Sequence, residues 1–209
     1  MNNLSEFIAE YGSREPLVVL LEGSRSISEE WAARAEQLGG LLARELPKAI
    51  FRTGNAPGSD TAFAAGVGAV DASRLEYVVP NENHRVGGRV QGARVLAMTS
   101  QDNSRVREVV DLSVTATPAN KRLLVNYRKI AFDQLRGWAK RGHATAELLL
   151  RDALKVTGNK ESGYAPATVA LFYVNPAKSE GGGTGHTIRC CRERGVPYFT
   201  QTSWGEWLD

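Results

Sequence analysis

Leu17-Val18-Val19-Leu20-Leu21 (LVVLL) is an unbroken β-branched and leucine run. A strand with one wet face alternates apolar and polar residues, so a continuous run marks a strand covered on both faces, as in a parallel sheet. The run passes directly into Glu22 to Ser26 (EGSRS), after which Ser28 has the character of an N-cap. Glu29 and Glu30 favour the positive helix end, and Trp31, Ala35, Leu38, Leu41 and Leu42 recur at helical spacing up to Leu46, before Pro47. A strand, a glycine-bearing turn and an amphipathic helix follow one another here.

The same unit repeats. A short helical lead-in, Leu4 to Glu10, precedes the first strand, and a second strand is expected at Ala49 to Arg52. It leads through Thr53 to Gly58 (TGNAPG) into a small-residue helix from Ser59 to about Val70, whose Ala and Gly content permits close packing on a sheet. Leu75 to Val79 (LEYVV) reads as a third strand that stops at Pro80, and Asn81 to Gly92 as polar and irregular. A buried strand at Thr168 to Val174 (TVALFYV), a glycine loop at Glu180 to His186 (EGGGTGH), a helix from Thr187 to Gly195 and a last strand at Pro197 to Thr200 complete the series. The tail is expected to dock Trp204 or Trp207 through a short helix. The pattern predicts an α/β fold, a Rossmann-like three-layer α/β/α domain with a mainly parallel sheet of five or slightly more strands in the order 3-2-1-4-5.

Residues from about 92 to 166 exceed what one crossover helix requires, so they are expected to form a helical insertion in a single domain spanning 1–209. Thr117 as N-cap and Pro118 at the first helical position open a predicted long helix with Leu123, Leu124, Tyr127, Ile130, Ala131, Leu135 and Trp138 on one stripe. A second helix, Ala144 to Val156, should end at Gly158. The wide apolar stripe can pack on the core or against a second copy in a homodimer.

The chain has 209 residues, 42% of them hydrophobic, enough for one substantial core. Lys and Arg number 26 against 23 Asp and Glu, a net charge of +3 that is too small to define a nucleic-acid binder by itself. Cys190 and Cys191 are neighbours and form no disulfide framework, which fits a reducing cytoplasm. No stretch approaches the length of a membrane span and no secretory leader is recognisable, so the expectation is a cytoplasmic protein with no membrane partner. His84, His143 and His186 show no paired spacing with Cys, Asp or Glu, so neither a metal nor a resident cofactor is expected.

In an open parallel sheet, ligands bind beyond the carboxyl ends of the strands where the strand order reverses. There the turns after the first, second and penultimate strands should meet. Gly181, Gly182 and Gly183 would let the backbone approach an anion, Gly185 continues the loop, Thr184 supplies a hydroxyl and His186 a donor. The following helix would aim unpaired N–H groups at a phosphate. Gly23 gives a tight turn, Ser24 a hydroxyl and Arg25 a guanidinium suited to phosphate. Gly54, Asn55 and Gly58 permit unusual backbone angles, and Ser59 or Asp60 would either cap the next helix or, through the Asp60 carboxylate, accept ribose hydroxyls.

Taken together, VVLLEGSR, FRTGNAPGSDTAFAAG and GGGTGHTIRCCRERGVPYF resemble the Rossmann-like superfamily that joins the DNA-processing protein DprA (SMF) to the LOG proteins, the SLOG type of ligand-binding domain. The resemblance covers about residues 16 to 80 and 167 to 200 and implies a nucleotide-derived ligand, with DNA as a special case. LOG enzymes are phosphoribohydrolases with a P-G-G-x-G-T-x-x-E loop, and aligning Gly183-Thr184 to its G-T puts Thr187 at the catalytic glutamate. On the three loops only Glu22, Asp60 and Glu180 carry carboxylates for glycosidic hydrolysis.

The sequence thus predicts a binder of a phosphate-bearing nucleotide or nucleotide-derived small molecule, as sensor or enzyme. One alternative is N-glycosidic hydrolysis of a nucleoside monophosphate. The other is single-stranded DNA binding of the DprA type along Lys121, Arg122, Arg128, Lys129, Arg136, Lys140, Arg141 and Arg151.

Overall fold

The computed structural model describes residues 1, 3–98, 107–127, 138–178 and 181–209, with side chains of 138–141 excepted. Strands β1 (Val18–Gly23), β2 (Ile50–Thr53), β3 (Leu75–Val79), β4 (Arg94–Ala97), β5 (Val169–Tyr173) and β6 (Tyr198–Thr200) form one sheet in the order β4-β3-β2-β1-β5-β6. Every neighbouring pair is parallel. The predicted order holds, with β4 added at one edge.

Helices α1 (Leu4–Tyr11), α2 (Glu29–Glu45), α3 (Ser59–Asp71) and α8 (Gln201–Trp204) cover one face. On the other lie α4 (Arg107–Ala116), α5 (Lys121–Tyr127), α6 (Trp138–Thr157) and α7 (Gly182–Arg194). Alternate strand residues divide between the layers, as a period of two requires. Val19, Leu21, Phe51, Tyr77 and Leu171 meet Phe7, Leu38, Phe63 and Trp204. Leu20, Val78, Ala170 and Phe172 meet Val109, Leu150, Leu154 and Ile188. Each buried Leu or Phe contributes about 2 kcal/mol. Trp204 and Trp207 both dock, and Trp204 Nε1 donates to the Phe172 carbonyl at 2.9 Å.

The local signals act where expected. Ser28 Oγ accepts from Trp31 N at 3.3 Å, and Gly158 ends α6 at φ 63°. The small residues of α3 serve the contact with α2 above all. A Cβ on Gly66 would lie 1.9 Å from the Glu36 carbonyl oxygen, and one on Gly39 would lie 2.5 Å from that of Phe63.

Several expectations change. Residues 94–97, inside the predicted insertion, extend the sheet, and α4 is an additional helix. Thr117 makes no side-chain cap; Pro118–Asn120 is a 3-10 turn before α5. Ile130, Ala131 and Leu135 of the proposed stripe lie outside the described residues, as do Arg128, Lys129, Arg136 and Glu180; so do the side chains of Trp138, Lys140 and Arg141. The helix expected from Thr187 begins at Gly182, so the glycine loop is largely the first turn of α7. Among the described residues no helix is long and apolar enough to cross a membrane.

Candidate functional site

The order in which successive strands are added reverses between β1 and β5, and a crevice of about 680 Å³ opens at their carboxyl ends. Gly23, Ser24 and Arg25 line it from the first turn and Gly181, Gly182, Gly183 and Thr184 from the start of α7. The first and last predicted loops therefore face one another. Gly23 is obligatory in this geometry, since a Cβ would come within 2.4 Å of the Tyr173 carbonyl oxygen on the adjacent strand. Among the described residues no side chain caps α7 at Gly181, and its first-turn amides are directed toward the crevice end of the helix. A Cβ on Gly182, at φ 64°, would meet nothing within 4 Å.

The second loop plays a different part: only its Ala56 lines the crevice. Asp60 is 1% exposed; its Oδ1 accepts from Gly23 N at 3.2 Å, and its Oδ2 from Gly54 N and Ala56 N, both at 3.1 Å. A carboxylate so engaged braces two turns, and the ribose-binding alternative for Asp60 is set aside. Ser59 Oγ donates to the Ser24 carbonyl at 2.8 Å. Gly58, at φ 85°, packs so closely on the Ser24 and Arg25 backbone that a Cβ would fall 2.5 Å from Arg25 O. Asn55, left-handed at φ 56°, donates through Nδ2 to the Arg85 carbonyl at 3.2 Å.

His186 is also redirected. On the second turn of α7 it is fully buried and turned to the helical layer, with Nδ1 2.7 Å from Thr117 Oγ1 and Nε2 3.1 Å from Ser113 Oγ and 3.0 Å from the Leu149 carbonyl. Burial keeps it neutral by lowering its pKa. Gly185 is buried with it and borders a separate cavity, of about 350 Å³, between α7 and β6.

Beneath the crevice lies a cluster that sequence reasoning largely missed. Glu22, the last residue but one of β1, lines the crevice and is 3% exposed. Lys155 Nζ donates to its Oε2 at 2.5 Å and also pairs with Asp152 Oδ1 at 2.8 Å. Arg151, counted from sequence among the surface cations, is instead 5% exposed; it pairs with Asp152 at 2.7 Å, donates to the Gly54 carbonyl at 3.3 Å and lines the crevice. Thr187, at the position of the LOG glutamate, donates through Oγ1 to Glu22 Oε1 at 3.0 Å. The signal was visible in Arg151, Asp152 and Lys155, charges that interrupt the run between Leu148 and Val156 on an otherwise apolar helix face.

Three carboxylates, Glu22, Asp60 and Asp152, thus share two cations. Burial, opposed by Lys155 and reinforced by Asp152 and Asp60, pushes the Glu22 carboxyl up to about 7. Burial works against a charged Lys155, yet Asp152 and Glu22 outweigh it and raise its pKa; Lys155 and Arg151 in turn overcome burial and lower that of Asp152. Beside Asn55 of the second loop, at residues that do not line the crevice, the sign reverses. Burial, then the crowding by Arg25 and Arg151, lowers the pKa of Arg85. His84 is brought down to about 4 by burial and by Arg85, Arg151, Arg89 and Arg25. The charged groups that line the crevice itself are the cations Arg25, Arg151 and Lys178 and the carboxyl of Glu22. Among the described residues no group of His, Cys, Asp and Glu is arranged to hold a metal.

No family model and no curated protein matches the chain. Among solved structures it is similar to DNA processing protein A (DprA) from Streptococcus pneumoniae, at 18% identity and a TM-score of 0.41, over 88% of this chain. The chain spans half the length of that protein.

Proposed function

We propose that the crevice between β1 and β5 binds a phosphate-bearing nucleotide or nucleotide-derived small molecule, in the manner of a SLOG-type domain, and that residues 1–209 act as one such unit. The observation that supports this best is the shared cavity: the Ser24-Arg25 turn and the uncapped glycine start of α7 line it together, with Arg151 at its wall. A helix N-terminus beside guanidinium groups favours an anion on both counts, through oriented N–H donors and through charge. The ligand sites are Gly23, Ser24, Arg25 and Gly181 to Thr184.

Calorimetric titration with AMP, NAD and cyclic nucleotides tests the reading. At least one should bind, Arg25→Ala should weaken it tenfold or more, and Gly182→Leu should do the same while the protein stays folded. Silence across the whole panel would remove the proposal.

Hydrolysis of an N-glycosidic bond is the second reading, favoured by Glu22, a crevice-lining carboxyl that ionises near neutral pH as general bases do. Release of free base from a bound nucleotide decides it. The single-stranded DNA reading retains, of the insertion cations with described side chains, only exposed Lys121 and Arg122. A salt-dependent oligonucleotide shift would restore it.

A further inference from the structure

Guanidinium groups gather over the second loop, beyond the residues that line the crevice. Its consecutive carbonyls Gly54 and Asn55 each accept from one arginine, Gly54 from Arg151 Nη1 and Asn55 from Arg85 Nη1, both at 3.3 Å. Gly58 of the same loop rests on the Arg25 backbone. Arg89 is anchored through Nη2 to the carbonyls of Glu82 and His84, at 2.8 and 2.7 Å. The turn after β1, the segment after β3 and α6 thus bring four arginines together, and His84 feels the field of all four.

Only one of them is neutralised: Arg151 pairs with Asp152 at 2.7 Å. Among the described residues Arg25, Arg85 and Arg89 pair with no carboxylate. Asp60, the acid whose field reaches Arg85, is buried and committed to three backbone amides. Arg25 is exposed and makes no side-chain hydrogen bond among the described residues, while exposed Arg85 uses Nη1 alone. Donors are therefore free on both guanidinium forks.

Two costs are built into this arrangement. Like charges held together repel, and after burial itself it is Arg25 and Arg151 that lower the pKa of Arg85. The backbone at Arg85 is left-handed, at φ 50°, a conformation uncommon outside glycine and asparagine. An anion between the forks offsets the repulsion. Three unbalanced cations favour a phosphate group, with its near-double charge and several acceptor oxygens, over a carboxylate with one charge.

We propose that Arg85 and Arg89, with Arg25 shared between them and the crevice, form a second oxyanion site whose occupant is a phosphate group. Free phosphate and a second phosphate on the crevice ligand supply the same chemistry. The site stands without the crevice reading, and only the second of these sources rests on it.

The test follows arginine Nε–H resonances by NMR in the intact chain, with Arg85→Lys and Arg89→Lys assigning the signals. Inorganic phosphate is titrated into wild type and into Gly182→Leu, which obstructs the start of α7, with acetate at equal ionic strength as control. The Arg85 and Arg89 signals should shift saturably with phosphate in both proteins and not with acetate. Arg85→Ala should weaken that titration about tenfold while the backbone amide spectrum stays that of a folded protein. No saturable shift, or an equal shift with acetate, overturns the proposal. AMP and ADP then separate the sources: an Arg85 shift with ADP but not AMP assigns the site to a second phosphate of one ligand. Continued response to free phosphate in protein saturated with AMP or ADP assigns it to a separate ion. If phosphate binds here while no nucleotide binds, this site stands and the crevice reading falls.

Discussion

Asp60 and Gly23 are 37 positions apart, yet the Asp60 carboxylate accepts the Gly23 amide at 3.2 Å and so fastens the end of β1 to the first turn of α3. The other carboxylate oxygen holds Gly54 and Ala56 in the same way. The two turns keep their shape through this one side chain. Removing it strands three buried donors, so Asp60→Ala should cost about 3–5 kcal/mol in urea unfolding and weaken ligand binding only indirectly. Asp60→Asn, which keeps one acceptor oxygen, should cost less; equal loss in both variants would count against the brace.

The α2–α3 crossing depends on the absence of a side chain at Gly66. Its Cβ would overlap the Glu36 carbonyl at 1.9 Å and crowd Gly40 N at 2.8 Å, both backbone atoms that cannot turn aside. Gly66→Ala should therefore destabilise by several kcal/mol or prevent folding, whereas Gly87→Ala, with nothing within 4 Å, should change stability by less than about 0.5 kcal/mol. Thermal unfolding of the pair checks this.

Arg52, fully buried in β2, donates through Nε and Nη2 to Glu76 Oε2 at 3.0 and 2.7 Å and through Nη1 to the Lys155 carbonyl at 3.0 Å. Register makes the pair: Arg52 lies opposite Glu76 on β3, and Glu76 opposite Arg94 on β4. Arg52→Met leaves a buried carboxylate with only Arg94 for a partner and should cost about 3–5 kcal/mol. In Arg52→Met/Glu76→Met the loss should be smaller than the sum of the two single losses, measured as a double-mutant cycle.

Glu22 ties stability to pH. Its carboxyl titrates near 4.5 in the unfolded chain and near 7 in the folded one, so between those values the folded protein holds a proton that the unfolded chain has released. Its contribution is fully present below 4.5 and is lost as pH rises to about 7, on the order of 3 kcal/mol. His84 acts with the opposite sign between about 4 and 6.5, which masks part of the slope. The difference between wild type and Glu22→Gln isolates the carboxyl: Glu22→Gln should lose relative stability at pH 5 and regain it by pH 8. A difference that does not vary with pH would show that Glu22 stays ionised throughout.

Much of the sheet was legible because strand and helix periods are local. The LVVLL run and its successors placed four of the five expected strands to within about one residue, and Ser28, Gly158 and Gly195 marked helix ends through backbone chemistry. The edge strand β4 was not legible, since a short strand with Arg94 and Val95 exposed lacks both the apolar run and the alternation that identify a strand. The start of α7 was missed because Gly182 and Gly183 are poor helix formers, and only their position at the sheet edge makes them helical.

The sequence by itself determined that parallel strands would end in glycine turns at one edge of a sheet, because hydrophobic periodicity and glycine's backbone freedom act over a few residues. Only the tertiary structure decided which charged side chains turn inward. Arg151, Lys155 and Glu22 meet because α6 crosses over the end of β1, and His186 leaves the crevice because one helical turn rotates it toward Ser113 and Thr117. Side-chain direction on a helix changes by about 100° per residue, so a small shift in where α7 begins reassigns every group on it.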